Sequence, residues 1–281
     1  MDRQITEEMI ESYISHLYEQ EKSPATIEKY IRDLRKLIRY AAGSPLTKTL
    51  MIDYKHALRA QNHYKTTSIN SFIIAANRFF EYMEWYDLRI KTYKLQQEPF
   101  TPENREITKP EYKKLLETAH RSGKTRIGMI IQTICATGIR VSELSAITVS
   151  AVKTGIATIN NKGKERRILI PRDLQVRLLH YIRKKHIKSG PVFCTSGNKP
   201  VDRTYIWREM KKLCESAGID KEKVFPHNLR HLFARTFYNL YKDIAKLADV
   251  LGHGSIETTR IYLRESLSEH RKHLDRMDLV S

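Results

Sequence analysis

The chain has 281 residues, enough for one large or two ordinary domains that each bury a core. Its 50 Lys and Arg against 32 Asp and Glu leave a formal net charge of +18, which favours a polyanionic partner, nucleic acid first and an anionic membrane surface second. No apolar run approaches the ~20 residues needed to cross a bilayer, and the polar, acidic opening from Met1 to Glu8 does not resemble a signal peptide. A cytoplasmic protein is expected. Cys135, Cys194 and Cys214 stand far apart without a Cys-x-x-Cys pair, so they read as free buried thiols rather than a disulfide framework or a zinc knuckle.

In chain order, Thr6 is the predicted N-cap of a helix whose apolar stripe is Met9, Ile10, Tyr13, Ile14 and Leu17. Ser23-Pro24 starts a second helix with Ile27, Tyr30, Ile31, Leu34 and Ile38 inward, and Gly43-Ser44-Pro45 stops it. A third helix is predicted over Lys48 to Ala60 and a fourth over Thr67 to Tyr86. Residues 1–95 therefore read as an all-α bundle. Lys22, Lys29, Lys65 and Arg78 are available to lie along a phosphate backbone. Residues 96–107, polar and broken by Pro99 and Pro102, read as a linker to a second domain over 108–281.

The second domain opens with a predicted helix from Lys109 to Arg121, then a nearly all-apolar one from Ile127 to Ala136 that Thr137-Gly138 halts just before Arg140. Two strand-like runs, Ile156 to Ile159 and Arg167 to Ile170, bracket the basic tip of a hairpin. Helices follow over Arg172 to Ile187, Arg203 to Ala217 and Asn228 to Tyr241. In the last of these, Leu229, Leu232, Phe233, Thr236 and Leu240 share one face, and His227, Arg230, His231 and Ala234 fall opposite, outside the expected core. A short helix from Asp243 to Leu251 is closed by Gly252, which delivers His253 past its end, and Ser255 caps the helix that carries Tyr262.

Breaking a phosphodiester without a metal requires a nucleophile, a means of removing its proton, cations around the non-bridging oxygens and an acid for the leaving oxygen. Candidates for all four occur in one order: an arginine after an apolar helix and a glycine, a basic hairpin, His-x-x-Arg, Leu-Gly-His, and a tyrosine nine positions on. Arginine suits the clamp because its planar guanidinium gives two parallel hydrogen bonds to phosphate and keeps its charge. His227 and His231 have the i, i+4 spacing of zinc ligands, but no glutamate base lies between them and Arg230 would repel the metal, so no metal is expected. No Walker-type glycine loop or G-x-S-x-G elbow is present, and neither cofactor nor small-molecule substrate is expected.

The segments Ala136-Thr137-Gly138-Ile139-Arg140-Val141-Ser142-Glu143-Leu144, His227-Asn228-Leu229-Arg230-His231, Leu251-Gly252-His253 and Ile261-Tyr262 resemble the tyrosine recombinases, the phage integrase and Xer-like family. The resemblance covers nearly the whole chain. It implies a SAM-like core-DNA-binding bundle followed by a mainly α catalytic domain with a small β-hairpin. It also implies that Tyr262 attacks the scissile phosphate to give a 3′-phosphotyrosyl enzyme, that Arg140 and Arg230 hold the phosphate oxygens, and that His227 accepts the tyrosine proton. His253 would hydrogen-bond a non-bridging oxygen, the hairpin lysine would protonate the departing 5′-oxygen, and Glu143 would orient Arg140. The family hairpin reads Lys-Gly-x-Lys-x-Arg, whereas this chain has Lys162-Gly163-Lys164-Glu165-Arg166. Lys162 is the preferred acid and Lys164 its competitor.

The implied partners are double-stranded DNA carrying inverted-repeat arms and further copies of the chain, assembled as a tetramer on paired sites. A tail over Leu267 to Leu279, with Leu267, Leu274 and Met277 on one stripe, either packs on its own domain or docks on a neighbouring protomer. The alternatives are a type IB topoisomerase-like relaxing enzyme and a catalytically silent DNA-binding regulator.

Overall fold

A computed structural model describes residues 3–61, 63–95, 105–161, 164–195, 197, 199–264, 267–277 and 279, with the side chains of Asn161 and Lys164 left out. The chain divides into two compact units, Met1–Gln97 and Glu98–Ser281.

The first unit is a four-helix bundle of α1 (Glu7–Glu19), α2 (Pro24–Ala41), α3 (Lys48–Ala60) and α4 (Thr66–Tyr82), closed by a 3₁₀ turn at Tyr86–Leu88. Thr6, Ser23 and Thr47 each accept a backbone N–H three residues on, so the starts of the first three helices follow from short polar side chains before an apolar stripe. Apolar faces meet in one core, where Tyr13, Phe80 and Trp85 surround Phe79 edge-on at ring separations of 5.3 to 6.3 Å. The fourth helix ends at Tyr82 rather than at the expected Tyr86. Glu84 turns left-handed at φ 57°, and the Trp85 N–H bonds back to the Phe80 carbonyl.

In the second unit, α5 (Lys109–Arg121), α6 (Thr125–Thr137), α8 (Arg172–Lys184), α9 (Arg203–Ala217) and α10 (Pro226–Tyr241) enclose the main core. α6 touches each of the other four, as its near-continuous apolar sequence requires. A 3₁₀ turn at Val141–Ala146 and the short α7 (Val149–Thr154) lead into β1 (Ile156–Asn161) and β2 (Lys164–Leu169). These strands form an antiparallel hairpin with Ile156 opposite Leu169 and Asn161 opposite Lys164. The ladder runs further than the apolar residues suggested because backbone pairing continues through Asn160 and Glu165 whatever their polarity. Along β2 and into the residue after it, Ile168 and Ile170 are buried while Leu169 is exposed, and the same alternation turns Arg166 inward.

The chain closes with α11 (Ile244–Leu251), α12 (Ile256–Arg260), a 3₁₀ turn at Ile261–Leu263 and α13 (Leu267–Asp275). This last stretch changes the reading of α10. Ala234, Leu247, Leu251 and Tyr262 form a second small core over the face of α10 expected to lie outside, so Arg230 and Ala234 are buried, and on the face expected to lie inside Leu240 is exposed. Of the cysteines, only Cys214 is fully buried, while Cys135 and Cys194 are intermediate. No helix among the described residues is long and apolar enough to cross a membrane.

Candidate active site

Two helix ends create the site's centre. α6 stops at Gly138, in left-handed conformation at φ 65°, and α11 stops at Gly252 in the same way. A helix C-terminus presents unpaired carbonyls and the negative end of the peptide dipoles, a natural seat for a cation. Arg230 takes it: Nη1 donates to the Gly138 carbonyl, and Nη2 donates to the Leu251 carbonyl at 2.8 Å. The same Nη2 meets His253 Nε2 at 2.9 Å, and the guanidinium carbon lies 5.8 Å from the centre of the Tyr262 ring.

Arg140 leaves α6's end and is oriented by Glu143, one turn on. Glu143 Oε1 accepts from Arg140 Nη1 at 3.0 Å, and Oε2 accepts from the Arg140 backbone N–H at 2.9 Å. Arg166 adds a third guanidinium, donating to Glu143 Oε2 at 2.6 Å and to the Leu251 carbonyl. Sequence reasoning gave Arg166 no role, although stepping back two positions from Ile168 along a strand places it on the buried face.

Two guanidiniums, those of Arg140 and Arg166, thus share a single buried carboxylate, Arg230 bonds only neutral acceptors, and the buried Nε atoms of Arg230 and Arg166 have no hydrogen-bond partner among the described residues. Burial, then Arg140, pushes the Arg230 pKa down to about 10, offset in part by the Tyr262 phenol. It stays charged at neutral pH, held at a cost that a bound anion would relieve. Arg140, with 36% of its side chain exposed, is the guanidinium that solvent reaches.

Three imidazoles surround the Tyr262 ring, which is 5% exposed: His227 at 5.2 Å, His231 at 4.3 Å and His253 at 5.3 Å between centroids. Burial first, and then Arg230 and Arg140, lowers His227 below the usual histidine range. The same causes take His253 down to about 4. Both rings are therefore neutral at pH 7. His253 Nδ1 meets Thr259 Oγ1 at 2.9 Å, a fully buried hydroxyl one turn before Tyr262 that sequence reasoning also left without a role.

The structure brings Arg140, Glu143, His227, Arg230, His253 and Tyr262 into one constellation. Lys162 lies outside the described residues, and for Lys164 only the backbone is described. No cluster of three or more His, Cys, Asp or Glu among the described residues could hold a metal ion.

Two family models match this chain: "Phage integrase family" over residues 105–269 and "Phage integrase, N-terminal SAM-like domain" over residues 10–86. The chain belongs to the phage integrase family of tyrosine recombinases. This recombinase is 29% identical to the tyrosine recombinase XerA of Pyrococcus furiosus over 99% of the chain and 97% of that protein. It is 25% identical to the tyrosine recombinase XerD of Vibrio cholerae over 90% of each. Its fold matches that of the XerH site-specific recombinase bound to difH substrate, with a TM-score of 0.70 and 20% identity over 96% of this chain and 84% of that one.

Proposed function

We propose that this recombinase cuts and rejoins DNA strands at paired recombination sites through a 3′-phosphotyrosyl intermediate formed on Tyr262. The observation that carries the proposal is the convergence of a buried tyrosine with three arginines, two of which keep a buried Nε without a partner among the described residues, and neutral imidazoles. Tyr262 Oη attacks the phosphorus, the 5′-oxygen leaves, and His227 takes the phenolic proton. Arg140 and Arg230 hold the non-bridging oxygens and balance the charge that builds in the transition state, with Glu143 fixing Arg140 from behind. Arg230 Nη2 can only donate, so without phosphate His253 Nε2 accepts from it and Nδ1–H donates to Thr259 Oγ1; once phosphate draws Arg230 away, the reverse tautomer, with Thr259 Oγ1 donating to Nδ1, offers Nε2–H to a phosphate oxygen. Lys162, or Lys164 in its place, protonates the departing 5′-oxygen. The phosphotyrosyl bond conserves the energy of the cleaved linkage, so a free 5′-hydroxyl reverses the step without ATP, and the guanidiniums supply the charge that a metal would otherwise provide.

In this reading, residues 1–95 form the core-site-binding module, 96–107 the linker and 108–281 the catalytic domain, and the two domains grip a duplex with inverted-repeat arms. Four copies assemble on two sites by exchanging tails. Leu267, Leu274 and Met277, which share the tail stripe, are 60%, 55% and 56% exposed on their own domain, which supports docking elsewhere. A cytoplasmic, nucleoid-associated protein follows from the DNA substrate.

Incubation with a nicked site that loses its 5′-hydroxyl fragment should trap a detergent-resistant adduct. Y262F should abolish the adduct and keep DNA affinity. A topoisomerase-like enzyme would form the adduct yet give no recombinants between two DNA molecules. A silent regulator would form none.

A further inference from the structure

Of the imidazoles around Tyr262, His231 is the one the proposed reaction does not use, yet its ring lies nearest the phenol, at 4.3 Å and 32°. Its side chain is 13% exposed, and its buried Nδ1 has no hydrogen bond among the described residues. A purely packed position would be filled at lower cost by a phenyl ring, because a buried nitrogen without a partner gives up hydration and gains nothing. That nitrogen faces a carboxylate: Glu106 Oε1 stands 4.0 Å away, beyond hydrogen-bond reach. Glu106 is itself held, since Oε2 pairs with Arg235, and Arg235 continues to Glu269 Oε1 at 2.9 Å. The preceding carbonyl, of Arg105, accepts from Asn228 Nδ2 at 2.8 Å. Carboxylate, imidazole and phenol thus form a row built from the start of the catalytic unit, α10 and the turn after α12.

We propose that Glu106 and His231 are positioning residues for the nucleophile: when the site engages a phosphate, Glu106 accepts the His231 Nδ1–H and fixes the ring against which Tyr262 is set for attack. The inference rests on Tyr262 being the nucleophile. Neither residue touches the reacting atoms. Closing the row takes a carboxylate shift of roughly 1 Å. Burial, His227 and the Arg235 and Arg230 guanidiniums push His231 down to about 3, so it serves as a neutral Nδ1 donor rather than a further cation beside Arg230. The arrangement follows the general logic of a carboxylate that sets the tautomer and plane of a histidine next to a reacting group.

The test is single-turnover adduct formation on the nicked site with the full chain, read beside DNA affinity and thermal midpoint. H231F and E106A should slow the adduct by roughly tenfold to a hundredfold at unchanged DNA affinity. E106Q, which keeps an acceptor, and H231N, whose amide N–H replaces the Nδ1 donor, should recover part of the rate. A residue that only packs would leave H231F at the wild-type rate. That result, or a wild-type rate for E106A, overturns the inference and leaves the Tyr262 assignment standing. Should H231F fail to fold, E106A and its E106Q rescue decide alone, because Glu106 lies at the edge of the core. An adduct that persists in Y262F, or none from the unaltered protein, would instead bring down the underlying reading.

Discussion

In the amino-terminal unit the side chains with least solvent contact are apolar, Leu37, Met51, Ile73, Phe79 and Phe80 among them; in the carboxyl-terminal unit Arg230, at 1% exposure, lies as deep as these. In the first unit the buried amide and carboxylate are locally satisfied, and the unpartnered buried atoms are the neutral hydroxyls of Tyr13, Tyr54 and Tyr93. Asn70 exchanges two hydrogen bonds with the Tyr93 backbone, both 2.8 Å, and Asp33 receives Lys29 at 2.9 Å. The second unit instead gathers like charges around Glu143 and leaves guanidinium nitrogens unpaired. The contrast teaches that one unit is built to be stable by itself, while the other holds donors in readiness for an anion and gives up stability to do so.

The sharpest test of that contrast replaces Arg230. R230M removes a desolvated charge but leaves the Gly138 carbonyl without a donor, so thermal stability should change little, while adduct formation should fall by roughly 10²-fold to 10³-fold or more. A large loss of stability with little loss of rate would erase the distinction. F79A should do the reverse in the first unit, costing about 3–5 kcal/mol in urea denaturation of the full chain. Whatever fraction remains folded should form adduct at the wild-type rate.

Acid should separate the units next. His231 and His253, pushed down to about 3 and about 4 in the folded protein, stay neutral where an unfolded histidine, near 6.5, takes up a proton. Their contribution to stability is therefore full above about pH 6.5 and falls as pH drops towards the folded values, by on the order of a few kcal/mol. Hydrogen exchange at pH 5 should show α10 to α12 losing protection ahead of α2 to α4, and uniform loss would contradict this. A smaller effect is expected from G252A. An added Cβ would sit against the Arg166 guanidinium, 3.0 Å from Cζ, in backbone at φ 65°, and should cost about 1–3 kcal/mol while displacing Arg166. The smallest should come from R78A, whose exposed partner is Glu81 at 2.8 Å, with at most about 0.5 kcal/mol lost.

Much of the fold was legible because its signals are local. α3, α5 and α9 span the predicted residues, and the structure adds their caps, Thr47, the Thr108 and Glu111 capping box, and Asp202. Arg140, His227, Arg230, His253 and Tyr262 stood out by order and spacing, and their convergence required the fold. The second buried face of α10 was not legible. A single helix shows one apolar stripe, and Arg230 is buried by segments that follow it, α11 and the turn bearing Tyr262. Thr259 and Glu106 join the site through contacts between chain segments that no periodicity marks, whereas Arg166 was within reach of the strand alternation that Ile168 and Ile170 define.

Tyr262 as the nucleophile can be tested outright by mapping the peptide that remains on DNA after the trapped reaction is digested with protease. One cross-linked peptide is expected, with the 3′-phosphate on Tyr262. A DNA-linked peptide bearing the phosphate on any other residue would contradict it.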